Sequence, residues 1–456
     1  MGAPLTPRAH ELSRLRWRKS FFASRNRPRR HEDTKKSYDV HREATLVAYR
    51  AFSDVAGKGA FFLVTVLAAR LLSARGFGIF SLGTTLGWLT AVVSDFGIQL
   101  HLAREVARRP AEAGALLGSW LRARVWTSAA VFAVVALGLA ATGFGDPYGA
   151  ALILLVLVYI ISGLVELLYY FYRGLSRSDI ESTLTLWQRF GMLVIAGVVL
   201  AWRPEVTTLA VAMLVPAVLT LAYSLRLASK MAHGGRGGNG PPRSPFPTRQ
   251  VFTRDVMPIG LGIVLSAMYF RVDVFLIEGW RGTEAVAQYN AVFRLVEALR
   301  LFPAAVLAVA LPSLCRAIDV RPLVRVSALV TGFAMVVSLA LWVAAGWLVP
   351  FVYGAAYSGA VPAFRILLVS FPLMSLNYAL THQLVGWNGH RAFAALAGAA
   401  LLFNVAINAR LIPTMSIAGA AWATLWTEAL LTIGCVAALR LTPLGPGAEP
   451  LAATVA

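Results

Sequence analysis

Charged side chains interrupt several long apolar segments of this sequence, and each interruption is a candidate site of chemistry. Arg50, Asp54 and Lys58 follow one another at intervals of four residues, which puts them on one face of a helix. In apolar surroundings such a face either lines a polar cavity or forms a ladder of ion pairs. Arg271 and Asp273 stand two residues apart and point roughly 200° away from each other on an ideal helix. At least one of them is therefore predicted to face a cavity, and we favour Arg271.

Two further groups of charged residues each allow two interpretations. Arg294, Glu297 and Arg300 are spaced three residues apart, which is typical of a salt-bridged helix face and equally of a charged cavity wall. Glu166 and Glu428 are isolated acids within apolar segments. Because a charge at membrane depth is costly, each acid is a candidate proton-coupling group or the centre of a buried hydrogen-bond network.

The sequence carries no pattern that is typical of an enzyme. It has no nucleophile–base arrangement and no metal-binding cluster. Lys58 follows a glycine but forms no nucleotide-binding loop, because Phe52 stands where the GxxxxGK[ST] pattern requires its first glycine. We therefore predict no enzymatic activity, no cofactor and no metal ion.

Membrane-spanning helices must position these charged residues. The 456 residues are 58% hydrophobic and only 14% charged, whereas an ordinary soluble domain has about 25% charged residues. This composition excludes a soluble enzyme, a disordered protein and a fibrous protein. Twelve apolar segments reach the length of about 20 residues that a span requires, the eighth of them at 286–312. We predict an all-α polytopic membrane protein with about 12 transmembrane helices.

The net charge of +20 has an explanation within this class of protein. Arginine residues concentrate in alternate connections between the predicted spans, and the positive-inside rule assigns those connections to the cytoplasm. Both termini are then cytoplasmic. The predicted partner of the basic surface is the lipid bilayer, and no nucleic-acid partner is predicted.

The segments between the spans divide the chain into five parts. Glycine and proline are dense between residues 233 and 249, which is typical of a flexible linker. The predicted parts are a basic, disordered cytoplasmic arm at 1–43, an N-lobe of six spans at 44–229, a cytoplasmic linker at 230–252, a C-lobe of six spans at 253–440 and a cytoplasmic tail at 441–456.

Several segments resemble a known family, the Wzx-type polysaccharide flippases. Residues 68–109 are similar to the opening of that family in Arg70-Leu71-Leu72, Gly76-Phe77-Gly78, Asp95-Phe96-Gly97 and Arg104-Glu105. Residues 258–312 are similar to the start of its second half in Arg271-x-Asp273 and Gln288-Tyr289-Asn290. Its C-terminal signature is matched by Asn404-x-x-x-Asn408, Ile412-Pro413 and Gly419-Ala420-Ala421. Asn404 and Asn408 share a helix face, and we expect them to form hydrogen bonds between helices.

The resemblance implies the fold of the MATE/MOP superfamily, with two six-helix lobes forming a V around a central cavity. It implies a bacterial inner-membrane protein that moves undecaprenyl-pyrophosphate-linked oligosaccharide from the inner to the outer leaflet by alternating access, for polysaccharide biosynthesis. On this hypothesis the pyrophosphate is neutralised by Arg50, Lys58 and Arg271. The glycan is then faced by Asp54, Asp273 and Asn377.

Three alternatives stay open. A cation-coupled exporter of drugs or organic cations requires a cavity dominated by acids. A flippase for the peptidoglycan lipid precursor follows the same physics, but those relatives commonly carry two further spans. A scaffold without transport activity would recruit a glycan polymerase and other assembly proteins through the basic arm.

Overall fold

A computed structural model describes residues 29–141, 148–234, 252–316, 320–387 and 389–441, and within them it is helical throughout without a strand. Of the described residues, those up to Ala51 form one compact unit and those from Phe52 onward form another, and the site lies wholly within the second. The helices of the first half are α1 (Arg29–Leu71), α2 (Ala74–Asp95), α3 (Ile98–Arg108), α4 (Ala113–Ala141), α5 (Tyr148–Gly174), α6 (Ser178–Trp202) and α7 (Val206–Gly234).

A short π-helical turn (Phe252–Val256) precedes the second half. Its helices are α8 (Met257–Arg281), α9 (Thr283–Leu299), α10 (Leu301–Arg316), α11 (Arg321–Tyr353), α12 (Val361–Gly386), α13 (His390–Met415) and α14 (Ile417–Leu441).

The helix that contains the first span begins earlier than the sequence analysis predicts. Because α1 starts at Arg29, residues 29–43 of the basic arm continue the span as helix and are not irregular chain. No glycine or proline stands between Arg29 and Arg50, so nothing in this segment breaks a helix. The rest of the arm, most of the predicted linker and the tail beyond Leu441 lie outside the described residues.

Eleven helical segments of the described chain are long and apolar enough to cross a membrane, against the twelve that we predict. The missing span is the eighth, which the structure divides into α9 and α10 at Arg300. Pro303 lies in the first turn of α10, where it has no N–H to bond the carbonyl of Leu299 four residues earlier. The predicted span is therefore two shorter helices that meet at Arg300.

Each half of the chain packs chiefly around its own helices. In the first half α5 contacts α2, α3, α4, α6 and α7. In the second half α8 packs on α13, and α12 packs on α11 and α14. Helix α2 also contacts α8 and α9, so it joins the two halves.

Two contacts along α2 leave no space for a side chain. A Cβ atom at Gly78 would overlap the backbone of Thr283 at the start of α9, and a Cβ atom at Gly260 of α8 would overlap the backbone of Phe96. The chain turns at Phe96 and Gly97, both with positive φ (46° and 84°). Backbone therefore lies against backbone near both ends of α2.

At the end of the helices that is predicted to face outward, side chains also join the two halves. Arg70, in the last turn of α1, donates from Nε to the carbonyl of Val352 at 2.7 Å and from Nη2 to the carbonyl of Phe351. The Tyr357 hydroxyl donates to the carbonyl of Ala69 at 3.3 Å. These contacts hold the two halves together at this end of the helices, which we call the closed end.

A second arginine makes the same type of contact within one half. Arg281, in the last turn of α8, donates from Nε to the carbonyl of Ile412 at 3.1 Å and from Nη2 to that of Pro413. Both arginines bind the last carbonyls of a helix, where a cation is favourable. Of these two arginines, Arg70 joins different halves and Arg281 joins helices of the same half.

Polar side chains connect the helices of the second half. The Asn404 amide of α13 donates to the Thr427 hydroxyl of α14 at 3.0 Å, and the Asn408 amide donates to Asn404 Oδ1 at 2.7 Å. The expected interhelical hydrogen bond is confirmed for Asn404, whereas the Asn408 amide donates within α13.

Candidate functional site

A cavity of about 470 Å³ lies between α1, α6 and the broken helix α9–α10. Four basic side chains and one carboxylate line it, and we call it the arginine chamber. Its charged residues are Lys58, Arg189, Arg294, Glu297 and Arg300. The excess of positive charge suits an anion, because such a chamber attracts negative charge and repels cations.

Aromatic rings hold the guanidinium groups of this chamber. The ring of Phe61 faces Arg189 at 5.5 Å and Arg294 at 5.7 Å, so one ring of α1 contacts cations from α6 and α9. Arg300, at the break between α9 and α10, lies over Phe270 at 4.5 Å and also faces Tyr378. Such contacts orient an arginine without using its N–H donors, which remain available to a ligand.

A second cavity of about 560 Å³ adjoins the first in the first half of the chain. The two share lining residues, namely Lys58, Phe61, Trp88, Tyr159 and Arg189. Its charged residues are balanced, and we call it the mixed chamber. They are the bases Lys58, Arg124, Arg173 and Arg189 and the acids Asp54, Asp95, Glu166 and Glu181.

Four of these eight charged residues lie beside a residue of opposite charge. Arg173 donates to Glu181 through Nε at 2.7 Å and through Nη2, which forms a two-point ion pair. Arg124 lies fully buried with Nε 4.0 Å from Asp95 Oδ1, and its Nη2 donates to the carbonyl of Ala91 at 3.0 Å. Its Nε and Nη1 have no hydrogen-bond acceptor among the described residues.

Five of the predicted site residues meet in these two chambers. Lys58 lines both, Asp54 and Glu166 line the mixed chamber, and Arg294 and Glu297 line the arginine chamber. Arg294 and Glu297 also form an ion pair at 2.7 Å. The two residues therefore form a salt bridge on the helix face and also line a cavity. Arg50 lies one turn before Asp54 on α1, and its role stays a prediction.

Arg271 and Asp273 are core residues and do not line either chamber. Arg271 Nη2 donates to the Thr85 hydroxyl at 2.8 Å and to Asn290 Oδ1 at 2.5 Å. Asp273 accepts a hydrogen bond from the Tyr289 hydroxyl. The side of α8 that carries Arg271 packs against α2 and α9, so our assignment of this arginine to the cavity is corrected.

Asn377 and Glu428 also lie away from both chambers. Both are buried, and the Asn377 amide donates to the Glu428 carboxylate at 2.7 Å and to the Glu428 backbone carbonyl at 2.8 Å. The Thr432 hydroxyl donates to Asn377 Oδ1 at 2.8 Å. These residues form a hydrogen-bond network between α12 and α14, which was the alternative interpretation for Glu428.

The predicted site residues do not include three basic residues of the chambers, namely Arg124, Arg173 and Arg189. Arg124 and Arg189 are each a cation within an apolar segment, which is the signal that led us to Arg271. Within the described residues no group of three metal-binding side chains is close enough to hold an ion. The arrangement therefore offers anion binding and polar contacts.

Comparisons with known proteins agree with this architecture. A family model described as polysaccharide biosynthesis protein matches residues 47–318, which is more than half of the chain. A search of curated protein sequences found no match. Similar solved structures include an inward-facing multidrug resistance MATE family transporter of the MOP superfamily. It is 15% identical, with a TM-score of 0.61 over 86% of this chain and 96% of that chain.

Two other structures have the same fold at similar distance. A MOP superfamily transporter from Pyrococcus furiosus, described as having a binding pocket of reverse polarity, is 14% identical, with a TM-score of 0.59 over 87% of this chain and 96% of that one. A Vibrio cholerae MATE transporter is 12% identical, with a TM-score of 0.55 over 90% and 99%. The chain is therefore a multi-pass membrane protein of the polysaccharide biosynthesis family, to which the Wzx-like flippases belong, and it has the fold of the MATE transporters.

Proposed function

We propose that this transporter moves a polyprenyl-pyrophosphate-linked oligosaccharide from the inner to the outer leaflet of the bacterial inner membrane. The observation that supports this proposal is the arginine chamber, in which four basic side chains and a single carboxylate line the cavity. A pyrophosphate cannot cross hydrocarbon unaided, because its charges would lose their hydration. Guanidinium groups replace that hydration with charge-assisted, often two-point hydrogen bonds.

The contacts of the chamber support a role for each of its charged residues. Arg300 and Arg294 would bind the pyrophosphate from the second half, and Lys58 and Arg189 would bind it from the first. Glu297 holds Arg294 in place through their ion pair. Since the cations come from both halves, a rocking movement of two lobes could expose the same site to either side. Arg70 would hold the outer end closed in the state described above.

The remaining expectations follow from the same proposal. The asymmetry of arginine between connections favours cytoplasmic termini. A glycan polymerase and other assembly proteins are candidate partners of the basic arm. If transport is coupled to protons, Glu166 is a better candidate than Glu428, because Glu166 faces a chamber and Glu428 is engaged by Asn377.

Of the alternatives, the exporter of organic cations is disfavoured by the charge of the arginine chamber. A flippase for the peptidoglycan lipid precursor would bind the same pyrophosphate group. The two kinds of flippase therefore differ only in the glycan that they accept. The test is flipping of a fluorescent undecaprenyl-pyrophosphate oligosaccharide by the purified protein in liposomes, read by quenching of one leaflet.

Replacement of Arg300 by glutamine should reduce the initial flipping rate at subsaturating substrate about 10- to 100-fold, since a hydrogen bond to a charged group contributes about 1.5–3 kcal/mol. Arg365→Gln is the matched control, because Arg365 also lies over an aromatic ring, Trp342, but lines neither chamber. Uptake of a small organic cation under an ion gradient, without flipping, would refute the proposal.

A further inference from the structure

We propose that the sugar next to the pyrophosphate is uncharged and occupies the mixed chamber, which discriminates against acidic sugars. This inference rests on the proposed function and names the glycan class that the same cavity accepts. It follows from the different charge of two adjoining chambers.

The first step is the assignment of the pyrophosphate. The arginine chamber has an excess of three basic side chains over acidic ones, whereas the mixed chamber has equal numbers. Opposite charges attract over several ångströms, so the most negative part of the substrate belongs in the arginine chamber. Lys58 and Arg189 line both chambers, and a bound pyrophosphate engages them.

Acidic side chains outnumber basic ones in the mixed chamber once the pyrophosphate is bound. Arg173 is paired with Glu181, and Arg124 lies beside Asp95. Asp54 and Glu166 line this chamber as well. Once Lys58 and Arg189 bind phosphate, the chamber keeps four acidic side chains against two basic ones, so a sugar carboxylate would be repelled.

The third step is the match to an uncharged sugar. Carboxylates accept hydrogen bonds from hydroxyl groups, so Asp54 and Glu166 suit a sugar that carries hydroxyl groups. Trp88, Tyr159 and Tyr170 give the chamber aromatic surface beside these polar groups. A volume of about 560 Å³ lies in the range of about 300–1,000 Å³ that is usual for ligand sites.

The test uses three lipids that differ only in the sugar: undecaprenyl pyrophosphate without sugar, with glucose, and with glucuronic acid, which replaces a hydroxymethyl group by a carboxylate. Their affinities for the full-length protein in nanodiscs are measured by competition with a fluorescent undecaprenyl-pyrophosphate probe. We expect the glucose form to bind at least about tenfold more tightly than the glucuronic acid form.

Glu166→Gln should reduce this preference about tenfold. Asp54→Asn serves as the second variant, and Glu284→Gln, an exposed acid that lines neither chamber, is the control. Arg300→Gln should weaken all three lipids by the same factor.

The outcomes separate the two proposals. Equal binding of the glucose and glucuronic acid forms, or a preference for the acid, overturns the inference and leaves the pyrophosphate site intact. Failure of all three lipids to bind overturns the proposed function itself, and the inference with it.

Discussion

Arg70 connects the two halves at the closed end of the molecule, so its replacement by alanine should favour the state in which that end is open. The side chain donates two hydrogen bonds to the last carbonyls of α11. Hydrogen bonds to charged groups contribute about 1.5–3 kcal/mol when buried. Arg70 is exposed, so we take about 1 kcal/mol for each bond, or about 2 kcal/mol in total. This loss shifts the equilibrium between the two states about 30-fold.

The movement can be measured as a distance between spin labels. Ala74→Cys at the start of α2 and Ser358→Cys beyond α11 place two exposed labels on different halves, after Cys315 and Cys435 are replaced by alanine. We expect the distance distribution in nanodiscs to gain a longer component in the Arg70→Ala variant.

Arg281→Ala is the matched control. Arg281 makes the same pair of bonds to the end of α13, but α8 and α13 belong to the same half. This variant should lose stability without a change in the distance between the labels. The same shift in both variants, or no shift with Arg70→Ala, would refute the role of Arg70 as the contact that holds the end closed.

Three other predictions concern residues away from the chambers. Gly260→Ala should lower the free energy of unfolding by about 1–3 kcal/mol, because the methyl group meets backbone. Gly279→Ala, in open space on the same helix, should be neutral or stabilising, and equal thermal shifts would contradict the packing. Asn377→Ala should destabilise the fold by about 1–3 kcal/mol, whereas Glu428→Gln should retain flipping in liposomes; its loss in a folded variant would support a coupling role. Arg271→Gln should lower the unfolding temperature but not the affinity for undecaprenyl pyrophosphate, and the reverse result would place this arginine in the binding site.

The sequence predicts the class of fold because span length and apolar composition depend on each helix alone. Span length and composition do not predict the break within the eighth span. Its apolar residues suffice for a span, but Pro303 and three charged residues fall within it, and the chain breaks at Arg300. The proline was visible in the sequence and could have located the break.

The site is less predictable, because the direction of a charged side chain depends on how its helix is rotated against its neighbours. Arg271 and Arg189 both lie near the middle of apolar helices. Packing of α8 against α2 and α9 buries the first, whereas the second faces the chambers. Lys58 and Asp54 line the chambers because their spacing fixes a common face that points toward them, and their role in binding stays a prediction.

The two contacts of backbone with backbone along α2 limit how the halves can move. Gly78 and the Phe96–Gly97 turn are about 28 Å apart along the helix, and at each point the opposite half lies too close for a side chain. Two fixed points define a line, so a movement that keeps both contacts is a rotation about an axis almost parallel to α2.

Such a rotation is a hinge movement of the two halves about an axis along α2. It separates the helices farthest from α2 and opens the cavity sideways into the bilayer, whereas opening toward one face of the membrane must break one of the two contacts. A substrate with a polyprenyl tail needs a lateral opening for that tail. The contacts at Gly78 and Gly260 would then stay intact while the substrate enters and leaves the cavity laterally.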